Sequence, residues 1–316
     1  MFRKTTLAIA LAVFTVGTAN AETFVRIGGG LAGTYPVFAA KLAELINENI
    51  PDVKANVVSG NVEKSQIGVQ TGELDLNIAP TFNSKQIFDG QGSLGIPTPD
   101  VRHIITLYGS SIQPVAKKGG VTSLAQLKDG ASRVWMGQKS GFFYQILSPM
   151  LEASGTSVAE IKDAGGVIEE YGYLQETQGF QDGRLDAGVF AGPVPYGLLL
   201  QIEKTPGFQL IGMDDASLDK LEEMMPGMAR REIAAGSYDG QTEAVTTPYY
   251  VNHLVANVNA DPDLIYSLTK LMYENYKEFH GLFSGSEEID NQDVLIHNVL
   301  PVHPAAEKFF AEVGAK

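Results

Sequence analysis

A glycine-rich turn near the start of the chain is the first candidate for binding chemistry. Residues 28–33 read Gly-Gly-Gly-Leu-Ala-Gly, follow the strand candidate 24–27 and precede a helical pattern with apolar residues at i, i+4, i+7 and i+8. Glycines in such a turn let backbone N–H groups point inward, and the helix N-terminus carries about half a positive charge. The turn therefore predicts a site for a carboxylate or a similar anion.

The same turn fits the G-x-G-x-x-G fingerprint of dinucleotide-binding proteins, so an exported enzyme that uses a nucleotide cofactor is one alternative. That fingerprint requires an acidic residue at the end of the second strand, about 20 residues further on. The sequence has Val57, Val58 and Ser59 near that point. Tyr35 and Pro36 also occupy the first helical turn, where a pyrophosphate would need close approach to the backbone. These residues favour an anion site without a cofactor.

Two more turns of this kind follow predicted strands. Residues 59–61 read Ser-Gly-Asn after the strand candidate 55–58, and residues 139–141 read Lys-Ser-Gly after the strand candidate 133–136. Each turn offers polar side chains or backbone N–H donors at the start of a helix. If all three turns face one crevice, they form a ligand site that needs no catalytic group.

The usual patterns for catalysis or metal binding do not occur in the sequence. The five histidines include no i, i+4 pair, there is no cysteine nucleophile, and no G-x-S-x-G elbow is found. The acidic run 287–293 lacks the glycine and the ligand alternation of a calcium loop, so a solvated loop is favoured. We expect no metal, no cofactor and no enzymatic activity.

The elements that carry these turns alternate between short apolar runs and helical patterns, which predicts an α/β fold with largely parallel sheets. The initial order β, α, β, α, β is typical of a doubly wound lobe. A second series of such units begins after residue 110, and the chain returns near residue 245. We predict two lobes, residues 22–110 with 245–316 and residues 111–244, joined by two crossings that act as a hinge.

A long amphipathic pattern follows the return of the chain. Asp261 and Pro262 predict a helix start, because the carboxylate can cap the helix and proline is tolerated at its first position. The apolar stripe behind them is expected to be core packing and consists of Leu264, Leu268, Leu271, Met272, Tyr276, Phe279 and Phe283.

The first residues have the three parts of a cleavable secretory signal peptide. Arg3 and Lys4 precede the apolar run 7–16, and residues 19–21 read Ala-Asn-Ala, which predicts cleavage after Ala21. Because the chain has no cysteine for a lipid anchor, we expect a free periplasmic protein. The net charge of −14 repels phosphate backbones and anionic membranes, which argues against nucleic-acid binding.

Six short blocks occur in a specific order along nearly the whole chain after residue 21. They are I-G-G-G…G-T-Y-P at 27–36, S-G-N-V-E-K at 59–64, G-E-L-D-L at 72–76, S-L-A-Q-L-K at 123–128, G-R-L-D-A at 183–187 and L-P-V-H-P at 300–304. Together they resemble the TAXI family, the substrate-binding proteins of one branch of the tripartite ATP-independent periplasmic (TRAP) transporters. The resemblance implies a two-lobed type II periplasmic-binding-protein fold and a ligand such as glutamate or a related dicarboxylate between the lobes. It also implies a fused TRAP membrane permease as partner, driven by an ion gradient.

Two of the blocks depart from the family pattern. The family commonly reads Gly-Gly-Ser-Val-Glu-Asn where this chain has residues 59–64, and Gly-Ser-Gly-Thr where it has residues 139–142. Lysines thus stand at two positions near the expected ligand, so the family's usual ligand is not carried over, whereas the loop contact at Tyr35 is retained. The turns and the resemblance together nominate these ligand-binding residues: Gly29, Gly30, Gly33, Thr34, Tyr35, Ser59, Gly60, Asn61, Lys64, Thr81, Lys139, Ser140, Gly141, Phe142 and Pro193.

The expected protein is a monomeric receptor for a small organic anion. The motif L-P-V-H-P at 300–304 is interpreted as a structural turn, and His303 is not assigned to the site. A receptor that reports its ligand to a membrane signalling protein would share all these features, so that alternative stays open.

Overall fold

One ten-stranded sheet with helices packed against it organises the described chain, which comprises residues 22–31, 33–139, 141–284, 286 and 289–315 of a computed structural model. The predicted signal peptide lies outside these residues, as do Ser140 and the first two residues of the acidic run. The strands are β1 Thr23–Gly28, β2 Val53–Val58, β3 Leu76–Pro80, β4 Val101–Lys117, β5 Arg133–Trp135, β6 Val167–Glu169, β7 Ala187–Gly192, β8 Phe208–Leu210, β9 Ala229–Ile233 and β10 Val245–Asn257.

Helices alternate with most of these strands, as the sequence predicts. The α-helices are α1 Tyr35–Asn49, α2 Val62–Thr71, α3 Thr81–Phe88, α4 Phe142–Ala153, α5 Val158–Asp163, α6 Glu176–Gln181, α7 Gly197–Leu200, α8 Asp215–Met224, α9 Pro262–Glu274 and α10 Pro304–Val313. Short 3₁₀ helices cover Leu124–Lys128, Tyr173–Gln175 and Tyr276–Phe279.

The sheet is parallel at its two ends and antiparallel in its centre. The strands follow the order β2-β1-β3-β10-β4-β7-β5-β6, with β8 paired to β4 and β9 paired to β10. β1 runs parallel to β2 and β3, and β5 runs parallel to β6 and β7. β10 runs antiparallel to β3, β4 and β9, and β4 runs antiparallel to β7 and β8. The expectation of largely parallel pairing is therefore wrong in the centre, because β4 and β10 cross the molecule in opposite directions.

Two hydrophobic cores lie along these two crossing strands. The first core is built from segments 25–108 and 249–310, and the second core is built from segment 112–238 together with Phe82 and Tyr250. β4 passes from the first core to the second between Tyr108 and Ile112, and β10 returns at residues 249–251. The predicted lobe boundaries fall close to this division, and the lobes themselves stay a prediction.

The helices pack through the stripes that the sequence indicates. In α1 the apolar positions Phe38, Leu42 and Ile46 are buried. α9 begins where Asp261 and Pro262 predict it, and the Asp261 carboxylate accepts a hydrogen bond from the backbone N–H of Asp263 at 3.0 Å. The stripe behind it joins the first core, which confirms its structural role. His303 is the N-cap of α10, where its Nδ1 accepts from the N–H of Ala305 at 3.2 Å.

Two fully buried histidines pair between β4 and β10. His103 Nδ1 lies 3.0 Å from His253 Nδ1, and His103 Nε2 lies 3.0 Å from the carbonyl oxygen of Val294. Because a carbonyl only accepts, the hydrogen of His103 sits on Nε2, and its Nδ1 accepts from the Nδ1–H of His253. Burial lowers the pKa of His103 to about 4 and that of His253 well below its usual value. Both rings are therefore neutral and structural.

Candidate ligand-binding site

A cavity of about 220 Å³ lies between the two cores. Its walls come from the glycine-rich turn before α1, the turn before α2, the start of α4 and side chains of β4, β7 and β10. Two of the predicted turns and the first residues of α4, which follow the third, thus meet at one place. The lining residues are Gly30, Leu31, Gly33, Thr34, Tyr35, Gly60, Asn61, Val62, Ser110, Phe142, Phe143, Tyr173, Ala191, Tyr196 and Tyr250.

Close packing and backbone conformation explain the glycines of the first turn. A side chain at Gly29 would overlap Val57 of β2. Gly30 and Gly33 have φ values of +69° and +75°, in the left-handed region that favours glycine. A Cβ atom at Gly30 would also lie 2.7 Å from the Cβ of Tyr35. The turn therefore holds the Tyr35 side chain against its own backbone at the edge of the cavity.

The N-termini of α1, α2 and α4 all open onto the cavity, but they differ in capping. Asn61 caps α2, since its Oδ1 accepts from the N–H of Glu63 at 2.9 Å and from that of Lys64 at 3.4 Å. Thr34 and Gly141, the N-cap residues of α1 and α4, make no side-chain cap. The first-turn N–H groups of these two helices therefore lack the acceptor that a cap residue supplies, and in α1 they exclude Pro36, which has no N–H. They approach the cavity from opposite cores.

An aromatic wall covers the second-core side of the cavity. The rings of Phe143 and Tyr173 stack with centroids 4.3 Å apart at 21°. Phe142 meets Phe143 edge-on at 5.2 Å and Tyr250 at 6.1 Å. Such arrangements add stability beyond the buried area and fix the orientation of the rings. This side of the cavity offers an apolar, shaped surface.

Tyrosine hydroxyl groups supply polar atoms within this aromatic surface. The Tyr35 hydroxyl donates to Asn252 Oδ1 at 2.7 Å, next to a register shift between β10 and β4. The Tyr173 hydroxyl donates to that of Tyr196 at 2.9 Å. Burial raises the pKa of all three tyrosines, so they are neutral hydrogen-bond donors.

Tyr196 connects the second core to the glycine-rich turn. Only 8% of this residue is exposed, and a Cβ atom at Gly33 would lie 3.8 Å from its hydroxyl oxygen. That oxygen accepts from Tyr173, so the hydroxyl hydrogen of Tyr196 remains to be donated. Within the described part of the chain this hydrogen has no acceptor. A ligand atom in the cavity would provide one.

A buried carboxyl group lies behind the aromatic wall. Glu176 is fully buried, its Oε1 accepts from the N–H of Val189 at 3.0 Å, and its Oε2 has no partner among the described residues. Burial raises the pKa of this carboxyl group well above its usual value. Burial thus disfavours the ionised form of this carboxyl group relative to a solvated glutamate.

The lining carries no charged side chain in the part of the molecule that the structure describes. Lys64 and Lys139, the two lysines singled out in the sequence, are exposed and lie outside the lining. Among the same residues, no group of three or more His, Cys, Asp or Glu side chains could hold a metal ion. Helix N-termini, hydroxyl groups and the side-chain amide of Asn61 are thus the polar features of the cavity.

The nominated residues separate into those at the cavity and those beside it. Gly30, Gly33, Thr34, Tyr35, Gly60, Asn61 and Phe142 line it. Gly29 packs beneath the turn, Ser59 is exposed, and Gly141 stands at the N-cap position of α4 without capping it. Thr81 is buried, with its hydroxyl donating to backbone carbonyl groups, and Pro193 lines a neighbouring groove. Ser140 lies outside the described residues.

Sequence reasoning missed half of the lining. Leu31, Val62 and Phe143 are direct neighbours of nominated residues, so the turns themselves could have indicated them. Tertiary packing brings in the others from distant elements, and no local motif marks them: Ser110, Tyr173, Ala191, Tyr196 and Tyr250.

A family comparison matches residues 27–314 to the model of the NMT1-like family. The chain belongs to the NMT1-like family. The match spans both cores and every turn that opens onto the cavity. No helix within the described ranges of this NMT1-like protein is long and apolar enough to cross a membrane.

Several solved structures resemble this NMT1-like protein at low sequence identity. A Xanthomonas citri protein bound to ATP is 10% identical with a TM-score of 0.49, over 93% of this chain and 96% of that one. An ancestral arginine-binding protein bound to arginine is 17% identical with a TM-score of 0.48, over 84% of this chain and 100% of that one. The alkanesulfonate-binding protein SsuA from Xanthomonas axonopodis pv. citri, bound to MOPS, is 15% identical with a TM-score of 0.46, over 93% of this chain and 85% of that one.

The fold class is the one predicted from the sequence. The chain has a mixed α/β architecture with a central sheet. In this NMT1-like protein the segment after residue 245 returns to the first core through β10.

Proposed function

We propose that this protein is a solute receptor that binds a small organic anion in the cavity between its cores. The observation that carries the proposal is a pair of helix N-termini without side-chain caps, α1 and α4, facing one cavity with the free hydroxyl hydrogen of Tyr196. A carboxylate would accept hydrogen bonds from all three. Because the protein carries a net charge of −14, an anion depends on such local donors.

Ligand binding is proposed to close two lobes, residues 22–110 with 245–316 and residues 111–244. Support comes from the two cores and from the two strands, β4 and β10, that connect them near residues 110 and 250. Donors on both sides of the cavity engage one ligand only when the lobes approach each other. Small-angle scattering is expected to show a smaller radius of gyration with saturating ligand. An unchanged radius would contradict closure.

Delivery to a fused TRAP permease, with uptake driven by an ion gradient, is the proposed role of the loaded receptor. The ordered TAXI-like blocks support this partner, and the predicted signal peptide supports a periplasmic location. We further propose that the receptor is a monomer. Uptake by vesicles that contain a reconstituted fused TRAP permease tests the assignment. Such vesicles should accumulate ligand only when the receptor is added, and uptake without the receptor would contradict it.

Binding without turnover is the second part of the proposal. The glycine-rich turn is packed against Tyr35, which supports a structural use of Gly30 over a pyrophosphate site. Incubation of the protein with small carboxylates, followed by mass spectrometry, tests this point. We expect the ligand to be recovered unchanged in a one-to-one complex. Product in excess of protein would establish an enzyme instead.

A further inference from the structure

The cavity is built for at most one charged group. Its fifteen lining residues include no Asp, Glu, Lys, Arg or His. A second carboxylate or an ammonium group in the cavity would lose its hydration without gaining an ionic partner. A dicarboxylate or an amino acid therefore matches this lining poorly.

The donors for one carboxylate face each other across the cavity. Thr34 and Tyr35 begin α1 there, Gly33 lies beside the Tyr196 hydroxyl group, and α4 begins opposite at Phe142. An isolated carboxylate can be held by backbone N–H groups and a phenol without a cationic side chain.

The remaining surface favours a flat or bulky apolar body. The stacked pair Phe143 and Tyr173 and the edge-on pair Phe142 and Tyr250 form a continuous aromatic surface. A cavity of about 150 Å³ lined by apolar side chains accepts benzene. The 220 Å³ found here would hold such a ring together with a short carboxylate arm.

We infer that the ligand is a monocarboxylate with an aromatic or bulky apolar body. This inference rests on the proposed function and narrows it, because the TAXI resemblance alone implies glutamate or a dicarboxylate. The carboxylate lies at the N-termini of α1 and α4, and the apolar body lies on the aromatic wall.

Isothermal titration with four probes of similar size tests the inference. They are phenylacetate, its neutral isostere phenylacetamide, succinate and glutamate. We expect phenylacetate to bind at least about tenfold more tightly than each of the other three, which corresponds to about 1.4 kcal/mol. The amide retains the ring and lacks the charge, whereas succinate and glutamate carry further charges and lack the ring.

A pair of variants locates the ring. Phe143→Leu removes an aromatic face and keeps an apolar side chain, and we expect it to weaken phenylacetate binding about three- to tenfold. Phe24→Leu makes the same change at a residue of β1 that is 63% exposed, and should leave binding unchanged. Melting temperatures of the unliganded variants show that both are folded.

The possible outcomes separate this inference from the function on which it rests. Tight binding of succinate or glutamate, without phenylacetate binding, would overturn the monocarboxylate inference and leave the anion receptor standing. Equal binding of phenylacetate and phenylacetamide would overturn the inference and the anion proposal. Absence of binding by every carboxylate would also overturn both. An equal loss of phenylacetate affinity in Phe143→Leu and Phe24→Leu would contradict the placement of the ligand's ring against the aromatic wall.

Discussion

Tyr173 donates its hydroxyl hydrogen to the hydroxyl oxygen of Tyr196 across 2.9 Å. The two residues belong to different connections of the second core, and both line the cavity. The bond satisfies Tyr173 and orients Tyr196, whose own hydrogen is left for a ligand. A pair of neutral phenols thereby acts as one directed donor toward the glycine-rich turn.

Removal of that donor should weaken binding without unfolding the protein. A hydrogen bond to a charged group contributes about 1.5 to 3 kcal/mol, so Tyr196→Phe should raise the dissociation constant of a bound carboxylate about ten- to a hundredfold. The unliganded protein should remain folded because the ring remains, with a loss of about 1 to 3 kcal/mol since the Tyr173 hydroxyl group loses its acceptor. Tyr266→Phe, which removes an exposed hydroxyl group bonded to Glu312, is the control for calorimetry. If Tyr196→Phe and the unmodified protein bind the carboxylate with equal affinity, the Tyr196 hydroxyl group does not contact the ligand.

Substitution of Gly30 should lower the stability of the protein by more than the cost of its left-handed backbone conformation. Gly236 has φ of +79° and nothing within 4 Å of an added Cβ, so Gly236→Ala measures the backbone cost, about 1 kcal/mol. Gly30→Ala has the same backbone cost and also displaces Tyr35, which should add about 1 to 3 kcal/mol. Urea unfolding of both variants measures the difference. Equal losses would show that Tyr35 moves aside freely.

Lys139 should contribute to affinity mainly through long-range attraction. It is exposed and outside the lining, so we expect Lys139→Met to raise the dissociation constant of a carboxylate about two- to threefold at low salt. The effect should vanish at high salt. Lys54→Met, an equal charge change at an exposed residue of β2, is the matched control. A tenfold loss that persists in salt would place the Lys139 ammonium at the ligand and contradict an uncharged site.

The buried histidine pair should make the fold sensitive to acid. Because burial lowers the folded-state pKa of His103 from 6.5 to about 4, the unfolded chain binds protons first. Stability is therefore complete above pH 6.5 and falls as the pH drops toward 4, by about 3 kcal/mol for His103. His253, whose pKa is also lowered by burial, contributes in the same direction.

Denaturant unfolding at several pH values between 7.5 and 4.5 measures this dependence. His253→Gln keeps a side-chain donor for His103 and removes one titrating ring, so its stability should fall less steeply with acid. The same slope in the parent and the variant would exclude His253 as a source of the acid sensitivity.

Local chemistry in the sequence determined the turns, the helix starts and the alternation of elements. Gly30 and Gly33 indicate a turn with left-handed backbone, because residues with a side chain are strained in that conformation. Asp261 and Pro262 indicate a helix start, because Asp261 accepts a hydrogen bond from a first-turn N–H group and Pro262 has no N–H that needs an acceptor. The apolar period of α1 likewise predicts its buried face. Each of these features depends on residues within one or two turns of the chain.

Only the tertiary structure decided the antiparallel centre of the sheet and the chemistry of the cavity. The direction of β10 depends on where the chain returns, about 130 residues after β4 ends. The alternation of apolar and polar residues within a strand does not indicate which way the strand runs. Tyr173, Tyr196 and Tyr250 meet because three separate elements converge on one space. The sequence analysis singled out lysines beside the turns, but in the structure those lysines are exposed and the cavity is lined by phenol and phenyl rings. The reason is that burial of an aromatic ring is favourable, whereas burial of an unpaired ammonium group is costly.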